Sequence, residues 1–370
     1  MLEFQARQTR TAARLGLAFP SESRWKETAL HGLTYLRDVM RDQRDGGWFW
    51  LVDRNGRPLH SGTKHAHSTA YLVGAAAQTY MLTGAPDALQ MATDAFAWLD
   101  DAARDKQRGG YFGWVTRDGQ PILSIESQPA LVGLREPLGT PIGLKDANVH
   151  SDLLQSFSEL FDVWPDPAVG QRLAEVYRLI TERFATGSGA MHFLLDPELS
   201  PVPAPIHYGY PLQSGARLRA AAQVIGADVN HATAMALRML DYTLDHGWRD
   251  PEGGFMETDR AARRAWWVQA EGVKLLSFAV VATTNDSYYA DRLTAMLAFI
   301  DRWLIDHEFG GWYPMPPQDR RRRARLLRTG LHKGDEWKDA AHEVDMYVYA
   351  IRLLRGLGSN MALELDSRND

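Results

Sequence analysis

GGWFWLVDRNGRP, residues 46–58, returns as GGYFGWVTRDGQP, residues 109–121. The two stretches have the same length and agree at Gly46/Gly109, Gly47/Gly110, Phe49/Phe112, Val52/Val115, Arg54/Arg117, Gly56/Gly119 and Pro58/Pro121. Shorter echoes follow at Gly187-Ser188-Gly189, Gly253-Gly254-Phe255 and Gly310-Gly311-Trp312. Asn55-Gly56 and Asp118-Gly119 are hairpin-turn dipeptides, in which both central residues favour positive φ. Each copy is therefore predicted to be a short hairpin joining two helices. A phrase that recurs along the chain at this scale sets the architecture.

Between the hairpins the apolar spacing is helical. Trp25, Leu30, Leu33, Leu36 and Met40 mark one amphipathic helix, entered through Ser21 and Ser23 with Glu27 in its first turns. Further helices are predicted near 66–83, 86–103, 148–163, 167–186, 212–225, 228–246, 264–282, 285–306 and 338–356, with a weaker one near 3–17. Helix pairs that repeat in this order cannot bury their faces alone. They close most simply into an all-α (α/α)6 barrel, with short β-hairpins between the pairs and residues 1–370 forming one catalytic domain. An open helical solenoid is the competing arrangement, and the hairpins weigh against it.

Composition narrows the function. The chain has no cysteine, which removes disulfides, thiolate catalysis and Cys-based zinc sites. A formal charge of −5 argues against nucleic acid, whose binding needs a basic face. No stretch approaches the roughly 20 apolar residues of a membrane span, and MLEFQARQTR has no apolar signal core. The expectation is a cytoplasmic protein, monomer or homodimer, with no membrane partner. One basic run, RRRRARLLR at 320–328, reads as a solvated loop or as a lid over an anionic substrate.

On the barrel reading, each helix that follows a hairpin belongs to an inner ring and opens at one mouth. Lys64, His65 and His67 precede one such helix, and Lys145, Asp146, His150 and Asp152 open the next. His207, Tyr208 and Tyr210 open the third, Trp266, Trp267, Gln269 and Glu271 lie on the fourth, and Asp335, Glu336, Trp337, Lys338 and His342 open the last. These clusters are expected to converge on one cavity. Helix N-termini there offer N–H groups to substrate oxygens and to developing oxyanions.

At these clusters the sequence resembles the N-acylglucosamine 2-epimerase superfamily, which includes cellobiose 2-epimerases and mannose-type aldose–ketose isomerases. The stretches that carry the resemblance are GGWFWLVDRNGRP, TKHAHSTAYLVGAA (63–76), NVHSDLLQSFSELFDVWPDP (148–167), HGWRDPEGGF (246–255), WWVQAEGVKLL (266–276), FGGWYP (309–314) and EWKDAAHE (336–343). The resemblance implies an (α/α)6 barrel, a free reducing sugar as substrate, and chemistry by histidine with neither metal nor cofactor. One histidine takes the proton from C2 to give an enediolate. Return to C1 makes the ketose, and return to C2 from the other face makes the epimer.

This chain departs from the family pattern. The family's Gly-His-Asp-Ile-Glu is Gly209-Tyr210-Pro211-Leu212-Gln213 here, so a histidine is Tyr210 and its carboxylate partner is Gln213. A further family histidine falls on Asp152 and a glutamate on Gln155, while His150 is kept. Lys64 stands where isomerases of the family carry arginine, and His67 matches a retained histidine. His342 is present, followed by Glu343-Val344-Asp345 in place of small residues and arginine.

The candidate catalytic set is His342, Glu271, Lys64, His207 and Tyr210. His342 would be the base, since an imidazole titrating near 6.5 suits proton abstraction at neutrality. Glu271, one turn after Trp267, would orient His342 or bind a hydroxyl; the bland alternative is a partner for Lys274. Lys64 would stabilise the enediolate oxygen, and His207 or Tyr210 could replace the lost histidine. The candidate substrate-binding set is His67, His150, Asp152, Trp266, Trp267, Gln213 and Trp337, with the two tryptophans as stacking platforms for a pyranose. His65, His67 and His150 lack compact ligand spacing, so no metal site is expected. With one histidine missing, an isomerase is favoured over a 2-epimerase. A hydrolase or lyase using Asp146, Asp152, Glu271 and Asp335, and a sugar-binding protein without turnover, are the other readings.

Overall fold

The computed structural model describes residues 1–127, 142–261, 263–284, 287–316, 332–335 and 337–366, with side chains to residue 355. The basic run at 320–328, Glu336 and most of the segment after Pro121 lie outside the described residues. The chain forms two compact units, one of Met1–Thr186, Met191–Ala204 and Arg217–Val229, the other of Gly187–Ala190, Pro205–Ala216 and Asn230–Asp370.

In the first unit, helices α1 (Leu2–Ala18), α2 (Ser23–Tyr35), α3 (Ala66–Thr83), α4 (Pro86–Trp98), α5 (Ala147–Val163) and α6 (Pro167–Leu179) follow one another. Helix α3 packs against α1, α4 and α5. Its first 14 residues are all buried, because AHSTAYLVGAAAQT is mostly small or apolar. Helix α2 instead buries only Ala29 and Leu33, the single stripe expected of an outer helix. Asp146 accepts from the Val149 amide at 2.8 Å to cap α5. Asp166 caps α6, which begins at Pro167. Helices α2, α4 and α6 each run on into a π-helical turn, at Leu36–Met40, Leu99–Ala103 and Ile180–Phe184. The predicted helix spans therefore hold in length, while their last turns widen.

Two residues at the head of α3, β1 (Lys64–His65), pair antiparallel with β2 (Trp114–Val115). In the same way β3 (Lys145–Asp146) pairs with β4 (Leu194–Leu195), which pairs with β5 (Pro201–Val202). The hairpin turns differ from expectation. Gly56 and Gly119 take positive φ, but Asn55 and Asp118 do not. Gly56 N donates to Asp53 O at 3.0 Å and Asp53 N to Arg57 O at 2.9 Å, so the loop has three residues with glycine at its left-handed position. The Asp53 side chain decides this by accepting from the amides of Asn55 and Arg57 at 2.8 and 2.9 Å.

The second unit contains the start of α7 (Gly209–Ile225), nearly all of α8 (Val229–Gly247), and α9 (Trp266–Ala282), α10 (Ser287–Trp303) and α11 (Ala341–Asp366). Helix α9 packs against α10 and α11 and is buried throughout Val268–Val280. Its core includes Leu240, Phe255, Leu275, Leu276, Met296 and Leu304.

The glycine-pair phrase is a backbone device with a cation at its centre. Residue pairs Arg41/Trp48, Arg104/Tyr111, Ala185/Met191, Trp248/Phe255 and Ile305/Trp312 each form a bridge. In three copies an aspartate precedes the glycine pair, and a lysine from the following connection reaches back to it. Lys145 Nζ lies 2.7 Å from Asp105 Oδ2 and 2.8 Å from Gly109 O. Lys333 Nζ lies 2.8 Å from both Asp306 Oδ2 and Gly310 O. Lys64 repeats the arrangement with Asp42 and Gly46. Arg264 contacts the Gly253 carbonyl in one of the two copies that lack this aspartate.

Candidate active site

In the second unit, Glu271 on α9 and His342 on α11 meet. His342 Nδ1 is 2.9 Å from Glu271 Oε1, and Lys274 Nζ is 2.8 Å from Glu271 Oε2. A carboxylate only accepts, so Nδ1 carries the proton and Nε2 of neutral His342 keeps its lone pair. Glu271 is 1 % exposed at its side chain and His342 12 %, so the pair is oriented in a dry setting while the imidazole stays reachable. Trp267 lies 6.1 Å from the His342 ring, Tyr210 lies 5.5 Å from Trp267, and His207 lies 5.1 Å from Tyr210. Glycine at 209 is required by this packing, since a Cβ there would stand 2.1 Å from the Trp267 ring. Trp267 Nε1 donates to Glu257 Oε1 at 3.3 Å. Burial lowers His207 to about 4, against the opposing charge of Glu257. Gln213 is buried on α7, one turn after Tyr210. Trp266 is half-buried under Lys338, and the Trp337 amide donates to Asp335 Oδ1 at 2.8 Å.

The first unit holds a second charged cluster. His67 Nδ1 lies 2.9 Å from Glu3 Oε2, and Nε2 lies 2.7 Å from Asp152 Oδ2. Burial opposes charge on His67, but the Glu3 and Asp152 carboxylates outweigh it and lift the imidazole to about 10. It is an imidazolium donating from both nitrogens. Asp152 also accepts from Arg217 at 2.7 Å and is held below the usual carboxylate range despite its burial. Arg10 pairs with Glu159 beside it on the same helices, α1 and α5. His67 is thus locked between two carboxylates, a charged strut between α1, α3 and α5.

Two candidate residues have other partners than expected. The Lys64 ammonium is taken up by groups of the fold. It is fully buried and donates to the Gly46 and Arg117 carbonyls with Asp42 at 3.3 Å, so its N–H groups are engaged in the repeat clip. His150 is likewise engaged at both nitrogens. Nε2 accepts from the Tyr111 amide at 3.1 Å, and Nδ1 therefore donates to the Asp146 carbonyl at 2.7 Å. Burial lowers it to about 4, so it stays neutral and pins the second glycine-pair turn onto α5. Gly110 allows the approach, since a Cβ there would be 2.9 Å from His150 Nε2.

A sequence model of the N-acylglucosamine 2-epimerase (GlcNAc 2-epimerase) family matches residues 2–124 and 212–330. The chain belongs to the N-acylglucosamine 2-epimerase family. A cellobiose 2-epimerase of Bacteroides fragilis is 24 % identical over 302 residues, covering 78 % of this chain and 73 % of that protein. A D-mannose isomerase of Marinomonas mediterranea is 23 % identical over 319 residues, covering 78 % and 72 %. The solved structure of cellobiose 2-epimerase from Spirochaeta thermophila aligns with a TM-score of 0.80 at 24 % identity, over 96 % of this chain and 86 % of that one. The fold is accordingly the (α/α)6 barrel of these enzymes, and the family is one of epimerases and isomerases. Among the described residues no group of three His, Asp or Glu side chains is placed to hold a metal, and no helix is long and apolar enough to cross a membrane.

Sequence reasoning missed Glu3, Arg217 and Glu257 in this family member. Arg217 was legible in principle, because it follows Gln213 by four residues and so shares its helix face. Glu3 and Glu257 carry no local signal, since each meets its partner only through tertiary packing.

Proposed function

We propose that the chain acts, as one catalytic domain, as an aldose–ketose isomerase on a free reducing hexose of mannose type. The observation that carries this reading is the His342–Glu271 pair, which leaves one imidazole lone pair oriented for proton abstraction. His342 Nε2 takes the proton from C2 of the open-chain aldose, giving an enediolate. The same proton returns to C1 while the O2 hydroxyl proton passes to O1, so the ketose forms with every atom accounted for. Epimerisation at C2 needs a proton delivered from the opposite face. The groups beside Trp267 supply it poorly: His207, lowered to about 4, is neutral at pH 7, and a phenol such as that of Tyr210 ordinarily titrates near 10. The similarity to a D-mannose isomerase supports the same choice, and the similarity to cellobiose 2-epimerases supports the epimerase as the second reading.

Incubation with D-mannose in D2O, followed by NMR of the products, tests the proposal. Fructose as the main product is expected. Mainly glucose would make the protein an epimerase, and binding without exchange at C1 or C2 would leave a sugar-binding protein.

A further inference from the structure

Beside the His342–Glu271 pair lies a second polar arrangement that the proton transfer does not use. Glu343 follows His342 on α11, and Trp266 precedes Trp267 on α9. Lys338 stands between them: its ammonium donates to Glu343 Oε1 and lies 5.5 Å from the centroid of the Trp266 ring. Glu343 is 7 % exposed and Lys338 4 %. Among the described residues, the other oxygen of Glu343, Oε2, is buried with no hydrogen-bond partner, and so is the indole Nε1 of Trp266. A buried acceptor and a buried donor, each without a partner among the described residues, flank one ammonium.

Leaving such groups unmade is costly, and a carboxylate oxygen is the more costly of the two. A ligand that satisfies both must accept from an N–H and donate to a carboxylate. A hydroxyl does both at once, as does a pair of adjacent hydroxyls. An anionic ligand would meet the Glu343 charge, and an apolar one would leave both atoms unmatched. Lys338 donates to one oxygen of Glu343 and leaves the other to accept.

We infer that Glu343 and Trp266, joined through Lys338, form a hydroxyl-binding subsite that selects the sugar presented to His342. The inference rests on the reading of His342 as the proton carrier, and it adds a specificity role that this reading does not contain. The two side chains hold a hydroxyl remote from the reacting carbons, so they act on sugar affinity and not on the proton transfer itself. A site built to bond a hydroxyl discriminates strongly against an analogue lacking it, because its buried polar groups are then left unpaired.

The test is calorimetric titration of the full chain with D-mannose, D-glucose and D-fructose, and with the series of monodeoxy mannoses. Trp266→Phe keeps an aromatic ring and deletes the N–H; Glu343→Gln keeps the volume and removes the charge. Each is expected to weaken binding of the tightest of the three sugars about tenfold, the scale of a hydrogen bond to a charged group. One monodeoxy mannose should bind the wild type as weakly as mannose binds the variants, and should lose nothing further in them. Unchanged affinity in Trp266→Phe, losses that simply add for every deoxy sugar, or a wild type that binds none of the three sugars would overturn the subsite. If Glu343→Gln does not fold, Trp266→Phe decides alone. A wild type that binds sugar without interconverting it sinks the isomerase reading and leaves the subsite standing. Variants that bind and turn over as the wild type does have the reverse meaning.

Discussion

One oxygen of Glu271 lies 2.9 Å from Nδ1 of His342, and its other oxygen lies 2.8 Å from Nζ of Lys274. The two alternatives for Glu271, a partner for its neighbouring lysine and an orienting group for a distant histidine, are both realised by one carboxylate. Lys274 holds Glu271 from its own helix, at a spacing of three residues, and thereby fixes the oxygen that faces His342. The imidazole is aimed by a group that is itself aimed.

His342→Ala is expected to lower kcat by roughly 10²–10⁴-fold, the usual contribution of general acid–base catalysis, with the circular dichroism spectrum and Tm unchanged. Glu271→Gln should lose less, because the amide oxygen can still accept from Nδ1–H while the charge is gone. A folded His342→Ala protein retaining more than about a tenth of the wild-type kcat, against the 10²-fold lower bound, removes His342 from this role.

The product ratio is the second measurement. Tyr210→His together with Gln213→Glu should raise the epimer fraction from mannose, because the new imidazole gains a carboxylate partner one turn away and can protonate at neutral pH. An unchanged ratio in a folded, active double variant would mean that residue 210 does not reach C2.

Lys64→Met separates the clip from catalysis. Loss of the ammonium leaves Asp42 and two carbonyls short of a donor, which should destabilise the protein by roughly 1–3 kcal/mol, read from the denaturation midpoint. The kcat of the folded fraction should stay within about threefold of the wild type, far from the roughly 10²–10³-fold loss that follows removal of an oxyanion donor. A fall of that size at unchanged stability would return Lys64 to the enediolate.

Stability should fall on both sides of a plateau, for opposite reasons. His67 titrates at about 10 when folded, against about 6.5 when unfolded. Its contribution is complete below the unfolded value and is lost as pH rises through 10. His150 and His207, lowered to about 4, bind fewer protons folded than unfolded. Their contribution is complete above about 6.5 and is lost as pH falls through 4. Thermal unfolding between these limits should show the two declines, and His67→Gln should flatten the alkaline one. An alkaline limb as steep in the variant as in the wild type would place its origin elsewhere.

The helices and their order were legible in the sequence, since helical periodicity, capping residues and glycine turns act within a few residues of chain. The span 66–83 and the amphipathic stretch ending at Met40 are cases in point, as are the glycine-pair hairpins at 46 and 109. The pairing of Glu271 with His342 was also foreseen, through the resemblance and the helical spacing from Trp267. The turn type was not, because the Asp53 side chain selects which residue takes positive φ. The partners of Lys64 and His150 were not legible for a related reason: a lysine and a histidine at the head of a helix look available until the preceding turn folds back onto them. The signal for Lys64 lay in the repeat itself, where Asp42, Gly46 and Lys64 recur as Asp105, Gly109 and Lys145. Only the tertiary structure decided that His67 carries charge, since Glu3 and Asp152 lie 64 and 85 residues away and impose it through space. Burial and partnership set what an ionisable group does, and both are properties of packing.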